Sequence, residues 1–183
     1  FISSSLSLSS LDLLINISNI SMKHLILIRH GQSEWNQQKR FTGWVDVGLT
    51  DKGRAEAKKA GELIKEKKIK LDSFYSSYQK RANDTLKIVM KELNEDENLI
   101  TKKWQLNERH YGELTGLNKE DMKKKYGEEK IHQFRRSWDV KPGALDRKSP
   151  YHPLNIETYK DIPVSDIPDT ESLKDTHKRV VDC

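Results

Sequence analysis

Cysteine is almost absent from this chain, because Cys183 at its very end is the only one among 183 residues. A disulfide between two cysteines of the chain is therefore impossible, and a cysteine-rich zinc site is excluded. The six histidines are scattered without the paired spacing of metal ligands. A reducing compartment fits this composition, so we expect a cytoplasmic protein without a metal site.

Long apolar runs are also missing, since no stretch reaches the ~20 residues that a membrane helix requires. Charged residues make up 33% and hydrophobic residues 34% of the chain, which is typical of a soluble globular protein. The net charge of +5 would suit an anionic partner, but the lysine runs at 58–70 and 123–125 are interpreted as solvated helix faces. No nucleic-acid-binding motif accompanies them. We therefore expect neither a nucleic-acid nor a membrane partner.

Residues 1–21 differ from the rest of the chain, being rich in Ser, Leu and Ile and free of basic residues. A secretory signal has a basic start and a long apolar run, and Asp12 and Asn16 interrupt the run here. Met22 stands directly before the first clear apolar segment. We therefore predict that 1–21 is an unstructured extension and that 22–183 forms one domain.

Short apolar runs alternate with helical patterns through this domain. The run 24–28 predicts a strand buried on both faces of a parallel sheet, and further strands are predicted at 71–75 and 99–103. Thr50 and Ser77 are predicted helix caps. The predicted buried faces of the two capped helices are Ala57, Ala60, Gly61 and Ile64 for the first, and Ala82, Leu86, Val89 and Leu93 for the second.

Helical patterns also cover 119–126, 128–138 and the segment from Thr170 onwards, whereas 141–169 is loop-like because five prolines interrupt it. The alternation of strands and helices predicts an α/β fold. We expect a doubly wound, mostly parallel sheet with helices on both faces, incomplete at its C-terminal end.

A histidine stands where the first predicted strand ends, in the tripeptide Arg29-His30-Gly31. Ligands of open α/β sheets bind outside the carboxyl ends of the strands. Imidazole can carry a phosphoryl group covalently, and a guanidinium offers planar donors that match phosphate oxygens. By itself, however, such a tripeptide is more often an ordinary surface or core histidine beside an arginine.

Three further features favour phosphate chemistry when they are taken together. Arg81 falls in the first turn of the helix after the second predicted strand, where its guanidinium and the helix N-terminus can bind the same anion. Glu108 lies in the loop after the third predicted strand and can serve as a general acid or base. Arg135 and Arg136 add two cations on a charged helix. Each of these would more often be an ordinary surface side chain if it were considered alone.

Four blocks of sequence carry a family resemblance: LIRHGQSEWN over 27–36, RFTGW over 40–44, LNERHYG over 106–112 and LNK over 117–119. Together they resemble cofactor-dependent phosphoglycerate mutase, a member of the histidine phosphatase superfamily. The R-H-G element is shared by the superfamily, whereas F-T-G-W and L-N-E-R-H-Y-G are narrower and point to the mutase branch. The match runs collinearly from about Met22 to the last residues.

The resemblance implies interconversion of 3-phosphoglycerate and 2-phosphoglycerate in glycolysis, through a phosphohistidine primed by 2,3-bisphosphoglycerate and without a metal. It implies that His30 is the phosphorylated nucleophile and Glu108 the acid or base. Arg29 and Arg81 would clamp the transferring group. The other implied substrate-binding positions are Gly31, Gln32, Ser33, Asn36, Thr42, Gly43, Arg109, His110, Tyr111, Lys119, Arg135 and Arg136. For the complete protein we expect a homo-oligomer, either a dimer or a tetramer.

One part of the family pattern is missing from this sequence. The family carries a second active-site histidine in an H-G-N element, which does not occur in the 183 residues. We therefore expect a fragment that is marginally folded and has little or no mutase activity. The alternatives are a bisphosphoglycerate mutase or a histidine phosphatase on the same scaffold, or a non-catalytic protein that binds a phosphorylated ligand.

Overall fold

The computed structural model describes residues 24–183. The predicted extension at 1–21 lies outside the described residues, so its lack of structure stays a prediction. The helices of the described part are α1 Glu34–Gln37, α2 Asp51–Glu66, α3 Lys80–Leu93, α4 Lys119–Tyr126, α5 Glu128–Arg136 and α6 Leu173–Val181. Its strands are β1 Phe74–Ser76 and β2 Ile100–Lys102. Short 3-10 turns occupy parts of the intervening loops.

The two strands pair in parallel, with Phe74 opposite Ile100 and Ser76 opposite Lys102. Parallel neighbours need a crossover connection, and α3 supplies it between β1 and β2. The α/β class is therefore confirmed, and so are the strands predicted near 71–75 and 99–103. In the described residues the sheet consists of these two strands, and a larger doubly wound sheet stays a prediction.

The strand predicted at 24–28 is not formed. This segment has no regular secondary structure, and Leu25 and Leu27 are 83% and 85% exposed. A strand exists only where a neighbouring strand pairs with its backbone groups, and the ladder of β1 with β2 does not include it. The segment instead forms one wall of a cleft of about 1850 Å³, whose other walls include Phe74 and Val89.

Close packing of α2 on α3 follows from a small-residue face. Thr50 caps α2 by accepting a hydrogen bond from the Gly53 N–H, as predicted. Ala57, Gly61 and Ile64 are buried as predicted. A Cβ atom at Gly61 would lie 2.8 Å from the Glu92 Cβ, which is closer than real side chains approach. The glycine therefore allows the two helices to come into contact.

The start of α3 differs from the prediction. The helix begins after Gln79, which makes no side-chain cap bond, while the Ser77 Oγ accepts a hydrogen bond from the Gln79 N–H at 3.3 Å. Ser77 therefore closes a tight turn before the helix and does not cap it. Its buried positions are also more polar than the predicted face, and they are Arg81, Asn83, Thr85, Val89 and Met90. Of the polar ones, Arg81 and Thr85 contact the site described below.

Most of the clustered apolar packing lies in two groups of four buried residues each, beside a smaller third group of Trp35, Val45 and Val47. One contains Phe41, Leu114, Ile131 and Phe134, and the other contains Trp44, Tyr159, Ile162 and Ile167. The second cluster anchors the loop-like segment 141–169, in which 3-10 turns but no α-helix occur, as predicted. None of the helices described is long and apolar enough to cross a membrane.

Candidate active site

His30 is held by hydrogen bonds at both ring nitrogens. Its Nδ1 lies 2.7 Å from the Gly31 carbonyl oxygen, and its Nε2 lies 3.1 Å from the Nε of Arg81. A guanidinium can only donate, so the His30 Nε2 accepts with its lone pair. The ring proton is therefore on Nδ1, which donates it to the Gly31 carbonyl. This tautomer presents Nε2 as the nucleophilic nitrogen.

Several neighbours act on the pKa of His30. Burial lowers this pKa below its ordinary value of 6.5, and the positive charges of Arg81 and Arg29 lower it further. The Gly31 carbonyl and the negative charge of Glu108 act in the opposite direction but do not reverse the shift. The ring is consequently neutral at pH 7, and the Nε2 lone pair that accepts the Arg81 hydrogen bond is the one that would act as the nucleophile.

Gly31 lets the chain pass very close to α2 at this point. A Cβ atom at Gly31 would lie 2.1 Å from the Gly53 carbonyl oxygen, so no other residue fits without a shift of the backbone. The Gly31 N–H donates to the Thr85 Oγ1 of α3 at 3.1 Å. Contacts to both helices therefore fix the residue that follows His30.

Arg81 is completely buried although it is charged. Besides His30, its guanidinium contacts the Val45 carbonyl at 2.9 Å, the Gly43 carbonyl at 2.8 Å and the Glu108 Oε2 at 2.8 Å. These bonds satisfy the buried cation and hold three segments around it. The structure thus brings His30, Arg81 and Glu108 together, although they are far apart in sequence.

Gln79 supports this group, and no sequence signal pointed to it. Its side-chain amide donates to the Gly43 carbonyl at 2.8 Å and accepts from the Glu108 N–H at 3.1 Å. The side chain is buried. Gln79 therefore joins the 41–45 loop to the loop that carries Glu108, from its position just before α3. Only its place two residues before Arg81 could have suggested such a role.

Further cations surround the same centre. Arg29 is exposed, and its charge is close enough to lower the pKa values of His30 and Lys119. Burial is the largest cause that lowers the pKa of Lys119, followed by the charge of Arg135. Glu108 opposes this shift. Lys119 therefore lies within electrostatic reach of Glu108 and Arg29, and Arg135 within reach of Lys119, whereas Arg136 is exposed on α5.

Arg109 is buried with donors that have no partner. Its Nη2 donates to the Arg135 carbonyl at 2.8 Å, and the guanidinium carbon lies 5.1 Å from the centre of the Tyr111 ring. The Nε and Nη1 of Arg109 and the Oγ1 of Thr42 are buried without a hydrogen-bond partner. Burial, followed by the charge of Glu108, raises the pKa of Tyr111. Unpaired buried donors of this kind can bind an anionic ligand.

Three polar residues of the long loop bond within the loop or to the start of α2. The Ser33 Oγ accepts from the Asn36 N–H at 3.3 Å, and the Asn36 Oδ1 accepts from the Ser33 N–H at 3.2 Å. This reciprocal pair caps α1. The Gln32 Oε1 accepts from the Thr50 hydroxyl at 2.9 Å. These side chains shape the loop, and Gly43 bends it with a φ of +54°.

The side chain of His110 lies apart from His30. It is fully buried, its Nδ1 accepts from the Gly112 N–H at 2.9 Å, and its ring centre lies 6.1 Å from that of His152. Burial lowers the pKa of His110 to about 3, and His152 adds to this effect. The ring is therefore a neutral part of the core.

Within residues 24–183, no cluster of three or more His, Cys, Asp or Glu side chains could hold a metal ion. The charges that act on His30 come from two arginines and one carboxyl group, Arg81, Arg29 and Glu108. Such a set can stabilise a transferring phosphoryl group by hydrogen bonds and positive charge.

Comparison with known proteins shows the family of the chain. The family model of the histidine phosphatase superfamily (branch 1) matches residues 25–152. A 2,3-bisphosphoglycerate-dependent phosphoglycerate mutase of Pelagibacter ubique (strain HTCC1062) is 67% identical over 160 residues, covering 87% of this chain and 67% of that protein. The chain belongs to the 2,3-bisphosphoglycerate-dependent phosphoglycerate mutases of the histidine phosphatase superfamily.

A second mutase of this family, from Bacteroides fragilis (strain YCH46), is 49% identical over 160 residues, covering 87% of this chain and 64% of that protein. The chain thus spans about two thirds of the length of the curated relatives it matches. Among solved structures, Bacillus stearothermophilus YhfR is similar with a TM-score of 0.57 and 24% identity, over 84% of this chain and 61% of that one. This similarity concerns the fold.

Proposed function

We propose that this chain transfers a phosphoryl group through His30 in the interconversion of 3-phosphoglycerate and 2-phosphoglycerate. The observation that carries the proposal is the hydrogen bond from the Arg81 Nε to the His30 Nε2 at 3.1 Å, with Glu108 held by the same guanidinium at 2.8 Å. A nucleophile, a cation and a carboxyl group therefore meet at one point. The names of the related mutases support this particular reaction.

In the proposed transfer, the His30 Nε2 forms a bond to phosphorus while the bond from phosphorus to the donor oxygen breaks. Glu108 gives a proton to the departing oxygen. In the reverse direction Glu108 removes the proton of the acceptor hydroxyl, whose oxygen attacks phosphorus as the P–N bond breaks. Arg81 and Arg29 neutralise the charge on the phosphoryl oxygens throughout, and the Gly31 carbonyl holds the proton on Nδ1.

The residues present fit a bisphosphate. Bound 2,3-bisphosphoglycerate would supply the phosphoryl group that primes His30. Its anionic groups need several cations, and Arg109 has buried, unpaired Nε and Nη1 donors. We propose that Arg109, Lys119, Arg135 and Arg136 bind the anionic groups that are not being transferred. Ser33, Asn36, Thr42 and Gly43 would line the substrate side of the loop, with Gly31, Gln32 and Tyr111 contributing backbone or ring contacts and His110 supporting the site from the core.

Labelling with ³²P tests the nucleophile. The chain is incubated with ³²P-labelled 2,3-bisphosphoglycerate, and the label is analysed for the acid-labile, alkali-stable behaviour of phosphohistidine. We expect His30→Ala to abolish labelling. His132→Ala is the matched control, because His132 is exposed on α5, and it should label normally. Labelling of His30→Ala equal to that of the unaltered chain would refute the proposal.

Glu108→Gln tests the acid or base. It should slow both formation and discharge of the phosphohistidine by about 10²- to 10⁴-fold. If the unaltered chain binds 2,3-bisphosphoglycerate without incorporating label, the non-catalytic alternative is favoured. Net hydrolysis to phosphate without isomerisation would instead favour a histidine phosphatase, and accumulation of 2,3-bisphosphoglycerate would favour a bisphosphoglycerate mutase.

Little or no mutase turnover by the 183-residue chain stays a prediction, which rests on the lack of an H-G-N element in its sequence. Turnover is measured with 2,3-bisphosphoglycerate supplied, beside the Pelagibacter ubique relative as reference. Equal rates would contradict it. A cytoplasmic location, a homo-oligomeric complete protein and independence of metal also remain proposals, and EDTA should leave the labelling unchanged.

A further inference from the structure

A buried ion pair lies behind the loop that carries Glu108. Glu171 comes just before α6, and Arg179 lies in the last turn of the same helix. The Arg179 Nε and Nη2 contact the two Glu171 carboxylate oxygens at 2.7 and 2.9 Å. The Arg179 and Glu171 side chains are only 10% and 4% exposed. This two-bond arrangement fixes the orientation of both groups.

Both partners of the pair also bind the backbone around Glu108. Arg179 donates from Nη2 to the Glu108 carbonyl at 3.1 Å and from Nη1 to the Gln105 carbonyl. The Glu171 Oε2 accepts from the His110 N–H at 2.8 Å, and the Glu171 N–H donates to the His110 carbonyl at 3.1 Å. The bonds are spread over 105–110 and therefore hold the loop on both sides of Glu108.

The backbone of Glu108 is consequently held from two directions. Gln79 accepts from its N–H at 3.1 Å, and Arg179 donates to its carbonyl. A buried ion pair is weak grounds for stability by itself, because removing two charges from water costs about as much as their attraction returns. The pair matters here because its remaining hydrogen bonds bind the backbone on both sides of Glu108.

We propose that Glu171 and Arg179 are positioning residues that hold the Glu108 carboxyl group against Arg81 and His30. Neither side chain makes a hydrogen bond to His30 or Arg81, so both act through the backbone of the loop. The inference rests on the proposed function, in which Glu108 is the acid or base. Displacing a reacting group by ~1 Å can slow a reaction about 100-fold, so such a clamp would matter for the rate.

The first test measures the pKa of His30 by NMR titration of the ¹⁵N-labelled chain. His30 is surrounded by Arg29, Arg81 and Glu108, and the Glu108 charge raises its pKa. Glu108→Gln should therefore lower this pKa. Arg179→Lys keeps the positive charge but loses the two-bond geometry, so it should lower the pKa of His30 in the same direction.

The double variant Arg179→Lys/Glu108→Gln decides whether the effect passes through Glu108. We expect its His30 pKa to equal that of Glu108→Gln alone, since no carboxyl group is left to displace. An unchanged His30 pKa in Arg179→Lys would overturn the inference. It would also be overturned if Arg179→Lys shifted the His30 pKa equally in the unaltered chain and in Glu108→Gln. Glu171→Gln preserves the shape of the side chain and is the second variant, should Arg179→Lys fail to fold.

The second test measures the rate of His30 phosphorylation by labelled 2,3-bisphosphoglycerate. Arg179→Lys should lower this rate about 10- to 100-fold, but not further in the Glu108→Gln background. Lys141→Ala is the matched control, because it breaks an exposed ion pair, 3.1 Å long, with Asp175, which lies in the same helix as Arg179. It should stay within about twofold of the unaltered chain. A similar loss in both backgrounds would indicate general destabilisation and refute positioning.

The two proposals fail in different ways. If the unaltered chain incorporates no label, the proposed function fails, while the NMR titration still reports whether Arg179 holds Glu108 near His30. If labelling succeeds and the titration shows no effect of Arg179→Lys, only the positioning role is refuted.

Discussion

Replacement of the buried Arg81 by glutamine perturbs the centre of the candidate site. The Arg81 guanidinium donates to His30, to the Val45 and Gly43 carbonyls and to Glu108. Arg81→Gln removes the positive charge and most of these donors, while the side chain stays polar. The variant therefore changes the electrostatics at His30 and the hydrogen bonding of the fold together, and each effect has its own readout.

The cost in stability can be worked from the partners that are lost. The Val45 carbonyl loses its buried donor, which costs about 1–3 kcal/mol. The Gly43 carbonyl keeps the amide of Gln79 at 2.8 Å and should lose little. Glu108 is 35% exposed, so water replaces its partner and the ion pair adds at most about 1 kcal/mol. We expect a total loss of about 1–4 kcal/mol, out of the 5–15 kcal/mol that typically stabilise a domain.

The pKa of His30 should move in a defined direction. The charge of Arg81 lowers it in the unaltered chain, so Arg81→Gln should raise it. A histidine whose pKa is lowered on folding loses stability as the pH falls below its unfolded value near 6.5. Between pH 6.5 and the lowered pKa, His30 should therefore reduce the free energy of unfolding less in Arg81→Gln than in the unaltered chain.

NMR titration of His30 and urea unfolding at pH 7 measure the two effects. The matched control is Arg40→Gln, because the Arg40 Nε also donates to a backbone carbonyl, that of Gly116, at 2.6 Å, while its guanidinium lies over the Trp35 ring. The control should leave the pKa of His30 unchanged. An unchanged or lower pKa in Arg81→Gln would show that the deduced contact between Arg81 and His30 is wrong.

Three further predictions concern the fold. Burial lowers the pKa of His110 to about 3, so this residue should reduce the free energy of unfolding by ~1.4 kcal/mol per pH unit as the pH falls from 6.5 towards 3. His110→Gln should flatten the dependence of stability on pH over this range, and an unaltered slope would contradict the assignment. Gly61→Val should lower the free energy of unfolding by about 1–3 kcal/mol, because the added side chain separates α2 from α3. Ala60→Val, at a half-buried position, should lower it by less than about 1 kcal/mol, and equal losses would argue against close helix contact. Tyr159→Phe leaves the Trp44 carbonyl without its 2.6 Å donor and should cost about 1–2 kcal/mol in urea unfolding, so a neutral effect would refute that bond.

Local sequence rules located most helices well. Thr50 supplies its own capping oxygen for α2, and Ser172 does so for α6 through a reciprocal pair with Asp175. Both signals act within four residues, so no distant contact is needed to interpret them. Ser77 misled the prediction, because a hydroxyl that closes a turn before a helix and one that caps the helix look the same in the sequence.

The strand predicted at 24–28 failed for a different reason. An apolar run predicts burial, but pairing depends on backbone groups of other segments that the run itself does not specify. The residues of the site show the same limit. Motifs indicated His30, Arg81 and Glu108, whereas Gln79 and the pair Glu171–Arg179 carry no local pattern and act through contacts with distant backbone.

By itself, the sequence determined the family and the α/β class, and it indicated a candidate nucleophile and candidate phosphate-binding cations, since these depend on residue types and short spacings. The tertiary structure decided how that chemistry is arranged. Contacts between segments far apart in the chain leave the lone pair of His30 on Nε2 and bury Arg81 completely. Such contacts also hold the Glu108 backbone at both its N–H and its carbonyl. Hydrogen bonding and burial are properties of the folded neighbourhood, and no local stretch of residues contains them.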